Sequence, residues 1–216
     1  MTPGRRPSLV RSAGLVWLAA AVLHAAAESG SIPAAPGPES ELPMLSLRDW
    51  ISAPERPPAF LLADMPQVLV LAQPDLGRQG ESFGRMVAFL EKSGLPRNRV
   101  PAQSEMTQWL QRTGQRIETL TYGNNLEASR LARFFNLARW QVEPLAVAES
   151  DLLQQLLRWR VLSPSPLGYV PGTGATMVIT FPIPSELATC ESCRVEEEDS
   201  LAVLDHEYQH ARYVLD

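Results

Sequence analysis

The residues best suited to chemistry stand near the end of the chain, between Leu204 and Arg212. His206 and His210 are four residues apart, and residues at that spacing lie on one face of a helix, so both imidazoles can bind one metal ion. Glu207 then stands beside that metal, where a general base for a bound water is needed. The remaining histidine, His24, falls in an N-terminal segment that is typical of a removed leader. The pattern therefore predicts a Zn²⁺ site with His206 and His210 as ligands and Glu207 as the catalytic base.

His-Glu-x-x-His resembles the signature of the zincin metallopeptidases. The resemblance implies a zinc-dependent hydrolase that cleaves a peptide or protein substrate with a metal-activated water. It also directs attention to Tyr169 and Tyr213 as hydrogen-bond donors to an oxyanion, although packing is an alternative role for both rings.

In zincins, an edge strand before the zinc helix borders the cleft and pairs with extended substrate. The segment Thr176 to Phe181 has strand character, with Met177 and Ile179 on one face. Pro182 and Pro184 follow it and favour an edge position, because proline cannot donate a ladder hydrogen bond. We therefore expect this segment to be the edge strand of the cleft, and an ordinary edge strand is the alternative.

A catalytic zinc takes three protein ligands and one water, so a third ligand is needed besides His206 and His210. Asp216 matches the third ligand of the metzincin pattern, but Tyr213 stands where that pattern has glycine. A helix that continued through Tyr213 would carry Asp216 away from the metal. The alternative expectation is a truncated chain, with the ligand in a later segment as in gluzincins.

The chain after the leader is also similar to an uncharacterised family of bacterial secreted proteins. The similarity lies in four stretches, which are Val68–Leu71, Met86–Glu91, Leu131–Leu137 and His206–His210. In that family the chain continues past the histidine motif, and this similarity too implies truncation here.

The two cysteines support a second interpretation. Cys190 and Cys193 precede the histidines as Cys-x2-Cys-x12-His-x3-His, which is the spacing of a structural Cys2His2 zinc site. Nucleic-acid binding by such a site is disfavoured, since acidic residues occupy 196–199 and the chain carries a formal charge of −5. A local disulfide, suited to an oxidising compartment, is the third possibility. The rival to an enzyme is thus a non-catalytic secreted domain held by zinc or by a disulfide.

The N-terminal region predicts export. A basic start that includes Arg5 and Arg6, a short apolar run and Ala25–Ala27 predict a signal peptide over 1–27, with secretion or a periplasmic location. An uncleaved membrane anchor is the alternative, whereas no stable span is expected after cleavage. Residues 28–44 are rich in proline and alanine and predict a disordered linker.

Residues 45–216 are predicted to form a single α+β domain with a small sheet, several helices and a zincin-like helix at its C-terminal end. Val68–Leu71 predicts a buried strand and Thr119–Tyr122 a short strand before a turn. Helical spacing recurs in three apolar sets, which begin at Phe83, Leu131 and Leu152. The last helix is expected to begin near Asp199 or Ser200, with its histidines opposite a core seam of Leu201, Leu204, Tyr208, Ala211 and Leu215.

Overall fold

The computed structural model describes residues 41–184 and 190–215. These residues form one α+β domain with a five-stranded mixed sheet, a separate hairpin and seven α-helices. The predicted signal peptide, most of the predicted linker and Asp216 lie outside the described residues. Ordered contacts begin slightly before Leu45, because Leu42 already packs against the core and Pro43 accepts a hydrogen bond from Leu61.

The strands and helices have the following bounds. The strands are β1 (Met44–Leu45), β2 (Ala59–Leu62), β3 (Val68–Gln73), β4 (Asn124–Glu127), β5 (Leu162–Ser165), β6 (Gly168–Pro171) and β7 (Met177–Pro182). The helices are α1 (Leu47–Ser52), α2 (Leu76–Glu91), α3 (Gln103–Thr113), α4 (Ile117–Leu120), α5 (Ala128–Trp140), α6 (Val147–Arg158) and α7 (Glu197–Leu215).

The main sheet has the strand order β1-β2-β3-β7-β4. Strand β3 runs parallel to β7, whereas β4 runs antiparallel to β7 and forms one edge. The expectation that Thr176–Phe181 is an edge strand is therefore wrong. Pro182 does not mark an edge because it is the last residue of β7, where the ladder with Gln73 ends.

The sheet separates two apolar clusters. On one face, Leu69, Leu71 and Val178 pack against α2, α5 and α6, all with helical apolar spacing as predicted. On the other face, Val70, Ile179 and their neighbours in the strands pack against α1 and α7. The alternation of side chains along each strand directs successive residues to opposite clusters. The buried strand predicted at 68–71 is confirmed as the first part of β3.

Two local predictions between residues 119 and 125 are wrong. Thr119–Tyr122 is not a strand, since Ile117–Leu120 forms the short helix α4 and the strand starts only at Asn124. The turn predicted to follow, at Gly123-Asn124-Asn125, is wrong over its last two residues, because Asn124 and Asn125 pair with β7. Tertiary pairing thus overrides the turn preference of asparagine. Within the described residues, no helix is long and apolar enough to cross a membrane.

Candidate functional site

Helix α7 carries the histidine motif and lies against the sheet. It begins at Glu197, two residues before the earlier of the two expected starts, and its first turn holds three acids at the positive end of the helix dipole. Ser200 is buried and donates from its hydroxyl to the Pro182 carbonyl at 2.6 Å, which ties the first turns to the end of β7. The predicted seam is confirmed, since all five of its side chains belong to the cluster on this face.

His206 and His210 lie together on the exposed face of α7. Their ring centroids are 4.5 Å apart and the rings meet edge to face. Both side chains are exposed and border a shallow open concavity that Asp205, Gln209 and Tyr213 also line. The spacing of the motif therefore places two imidazoles where one small ion can reach both from solvent.

Glu207 points in a different direction from the histidines. It is only 9% exposed and lies against Gly123, where an added Cβ would come within 2.7 Å of the Glu207 Oε1 atom. Burial raises the pKa of its carboxyl group, while the electrostatic influence of His206 and His210 acts in the opposite direction. No donor among the described residues hydrogen-bonds this carboxylate. Glu207 is therefore a buried acid that is easier to protonate than an exposed glutamate.

The edge strand β4 lies next to this acid. The Asn125 side-chain amide donates to the backbone carbonyl of Glu207 at 3.2 Å, which links β4 directly to the centre of the motif. β4 pairs with β7 on one side, and no other strand of the described chain pairs with its second side. The edge position expected for residues 176–181 thus belongs to Asn124–Glu127.

A third ligand for the histidine pair is not found among the described residues. The one group of three potential metal ligands brought together there consists of Glu118, Cys190 and Cys193, which does not include either histidine. Asp216 lies outside the described residues. The chemistry of the two imidazoles fits zinc, but they supply two of the three protein ligands that a catalytic zinc takes.

The two candidate tyrosines differ in position. Tyr213 is 87% exposed and lies on the histidine face, within the open concavity. Tyr169 is buried in the cluster on the far face of the sheet, where its ring meets Phe135 edge to face. Tyr169 therefore lies on the opposite side of the sheet from the histidines.

Cys190 and Cys193 form a disulfide that spans the short 3-10 turn before α7. Cys193 is buried beside Leu76 and Val195. A disulfide sulfur is not a thiolate, so a Cys2His2 site is not formed in this state.

Sequence reasoning missed a group of buried polar side chains near Gly123. Gln79 donates to the Thr121 and Tyr122 carbonyls, but its Oε1 atom has no partner among the described residues. The Thr180 hydroxyl and the Asn124 amide nitrogen are equally unpartnered there. The available signal was polar residues at inward positions of strands, such as Thr180 within the apolar run of β7.

No protein-family model, no curated protein and no solved structure matches this chain.

Proposed function

We propose that this chain is a zinc-dependent hydrolase that cleaves peptide bonds. The observation that carries the proposal is the pair of exposed imidazoles, His206 and His210, with ring centroids 4.5 Å apart on the helix that also carries the buried acid Glu207. A buried acid with a raised pKa next to a potential metal site is the combination expected of a hydrolytic centre.

His206 and His210 would hold the zinc through one ring nitrogen each, and a group outside the described residues would complete the protein ligands. Zinc, when bound, supplies a Lewis acid that polarises a carbonyl and acidifies a water. The open concavity at the histidines leaves room for substrate.

Glu207 would carry the proton during the reaction after its side chain turns from Gly123 toward the histidines. Its buried carboxylate accepts a proton more readily than an exposed one, because burial disfavours the charged form. The same group can then donate that proton to the leaving amine. The Asn125 hydrogen bond to the Glu207 carbonyl holds this part of the helix at a fixed distance from β4.

β4 would align the substrate. Its second side offers backbone groups that an extended peptide can pair with, as in β-augmentation. This arrangement resembles the zincin cleft, in which an edge strand borders the metal site. The basic and apolar start of the chain further supports export, so we propose a secreted or periplasmic enzyme.

Mutation of the motif tests the proposal. The parent protein, His206→Ala, His210→Ala and Glu207→Gln are compared for zinc content and for hydrolysis of a mixed fluorogenic peptide pool. Each alanine variant should lose zinc and activity together, because one remaining imidazole holds the ion weakly. Glu207→Gln should keep zinc but lose about 10²- to 10⁴-fold in turnover, the usual contribution of a general base.

Gln209→Ala is the matched control, since Gln209 lines the same concavity without being a proposed ligand. It should keep both zinc and activity. Hydrolysis by Glu207→Gln at the parent's rate would remove Glu207 as the base and with it the proposed mechanism.

A non-catalytic exported domain is the second candidate. It is favoured by the disulfide and by the lack of a third ligand at the histidines among the described residues. X-ray absorption of the zinc-loaded protein separates the candidates. Only N/O ligands at about 2.0–2.1 Å support the hydrolase, whereas Zn–S distances of about 2.3 Å support a structural site that includes cysteine.

A further inference from the structure

Three side chains from two separate parts of the chain meet at the start of the segment that leads into α7. Glu118 lies on α4, whereas Cys190 precedes the 3-10 turn and Cys193 is its last residue. The carboxylate oxygen and both sulfurs lie within 4.8 Å of one another. The histidines are not part of this group, so it is distinct from the site proposed above.

The surroundings of the group combine apolar burial, which disfavours thiolates, with a nearby cation, which favours them. Cys193 is 2% exposed and packs with Leu76, which keeps bulk water from one side of the sulfur pair. Arg116 lies 3.5 Å from the Glu118 carboxylate and donates to the Ser192 hydroxyl, which itself lies 3.1 Å from Cys190 Sγ. A nearby guanidinium favours the thiolate over the thiol. The positive charge also offsets part of the repulsion between two thiolates and one carboxylate.

We propose that reduction of the Cys190–Cys193 disulfide creates a site for a thiophilic divalent cation, with Zn²⁺ or Cd²⁺ held by two thiolates and the Glu118 carboxylate. A dithiol reductant supplies two electrons and two protons, breaks the S–S bond and is itself oxidised to a disulfide. Cation binding then releases the two thiol protons. Three protein ligands leave the fourth tetrahedral position to water.

The local geometry allows the disulfide to open with little disturbance of the rest of the fold. The disulfide joins residues three apart, so its opening frees the sulfurs without separating distant parts of the fold. The same Cys-x-x-Cys spacing lets two thiolates bind one tetrahedral cation. Glu118 adds a ligand from a different element, so the cation would tie α4 to the segment entering α7. In oxidising conditions the disulfide would hold Cys190 to Cys193, and in reducing conditions the bound cation would hold both cysteines to Glu118.

Cadmium titration of the full chain tests the proposal. Oxidised protein and protein reduced with an excess of dithiothreitol, then desalted without oxygen, are titrated while the sulfur-to-cadmium charge-transfer absorption is followed. The reduced parent should bind one equivalent with this absorption, and the oxidised parent none. The His206→Ala/His210→Ala variant should behave as the parent does, which separates this site from the proposed hydrolytic zinc.

Variants of Glu118 test whether its carboxylate is a ligand of the cation or whether the two reduced cysteines bind it alone. Glu118→Gln keeps the disulfide and should weaken cadmium binding by at least about tenfold. Glu191→Gln is the matched control, since this exposed acid next to Cys190 lies outside the group, and it should bind as the parent does. Cys193→Ser should abolish the absorption. Equal affinity of Glu118→Gln and parent, or no sulfur-bound cadmium in the reduced parent, would overturn the proposal.

Discussion

Two buried carboxylates lie on opposite sides of the sheet, and their surroundings differ sharply. Glu149 on α6 is 1% exposed and receives Arg85 through two nitrogens as well as the Ala146 backbone amide at 2.8 Å. Glu207 on α7 is 9% exposed and receives no hydrogen bond within the described residues, and burial raises the pKa of its carboxyl group.

The difference separates a structural acid from a candidate catalytic one. Arg85 also donates to Glu143 and to the Pro101 and Pro144 carbonyls, so its five hydrogen bonds match its five N–H donors and join α2 to α6. A fully satisfied buried pair fixes a structure and has no free capacity for substrate. Glu207 has no protein donor among the described residues, and an acid whose pKa is raised by burial is a candidate for chemistry.

The largest expected effect is the loss of the Arg85 network. Arg85→Met leaves Glu149 buried without its cation, so the free energy of unfolding should fall by about 3–5 kcal/mol in urea titrations. Arg85→Met/Glu149→Met should recover most of this loss, since no unpaired charge remains.

Arg99→Met is the matched control for the Arg85 variant. It removes another arginine–glutamate ion pair, with Glu105, at an exposed position. The free energy of unfolding should therefore fall much less. An equal loss of unfolding free energy in the Arg85 and Arg99 variants would show that the buried network stabilises the fold no more than an exposed ion pair does.

A smaller effect is expected where Glu207 meets the edge strand. Gly123→Ala introduces a Cβ that would lie 2.6 Å from Val203 Cγ1 and 2.7 Å from Glu207 Oε1, so a neighbour must move. The variant should lose about 1–3 kcal/mol of unfolding free energy. The loss should shrink in a Glu207→Ala background, because one of the two clashes disappears.

A His206→Ala background supplies the control for that cycle. His206 faces solvent, so the cost of Gly123→Ala should be the same there as in the parent. If Glu207→Ala leaves the cost of Gly123→Ala unchanged as well, the carboxylate is not seated against Gly123.

The sequence was sufficient to predict which face of α7 carries the histidines and which face packs into the core, but it did not predict the environment of Glu207. Helical spacing places His206 and His210 on one face and the seam on the other, and both outcomes depend only on positions within one helix. The burial of Glu207 depends on Gly123, and the satisfaction of Glu149 depends on Arg85. Those contacts join residues far apart in sequence, and periodicity carries no information about them.

The smallest effect, and the most direct test of the contrast, is the pH dependence of stability contributed by Glu207. Because its pKa is raised in the folded state, the native protein keeps a proton on this carboxyl group at pH values where the unfolded chain has lost it. The stability contributed by the group therefore falls as pH rises from the unfolded pKa, about 4.3, to the folded value, and then stays constant. Glu207→Gln removes this loss, so its Tm should exceed that of the parent at pH 7, and the gain should vanish near pH 4.

Asp205→Asn removes an exposed carboxylate from the same helix and should bring no comparable gain. A Glu207→Gln variant whose Tm difference from the parent is the same at both pH values would mean that the carboxyl group of Glu207 is as well stabilised as that of Glu149, and the contrast between the two acids would be lost.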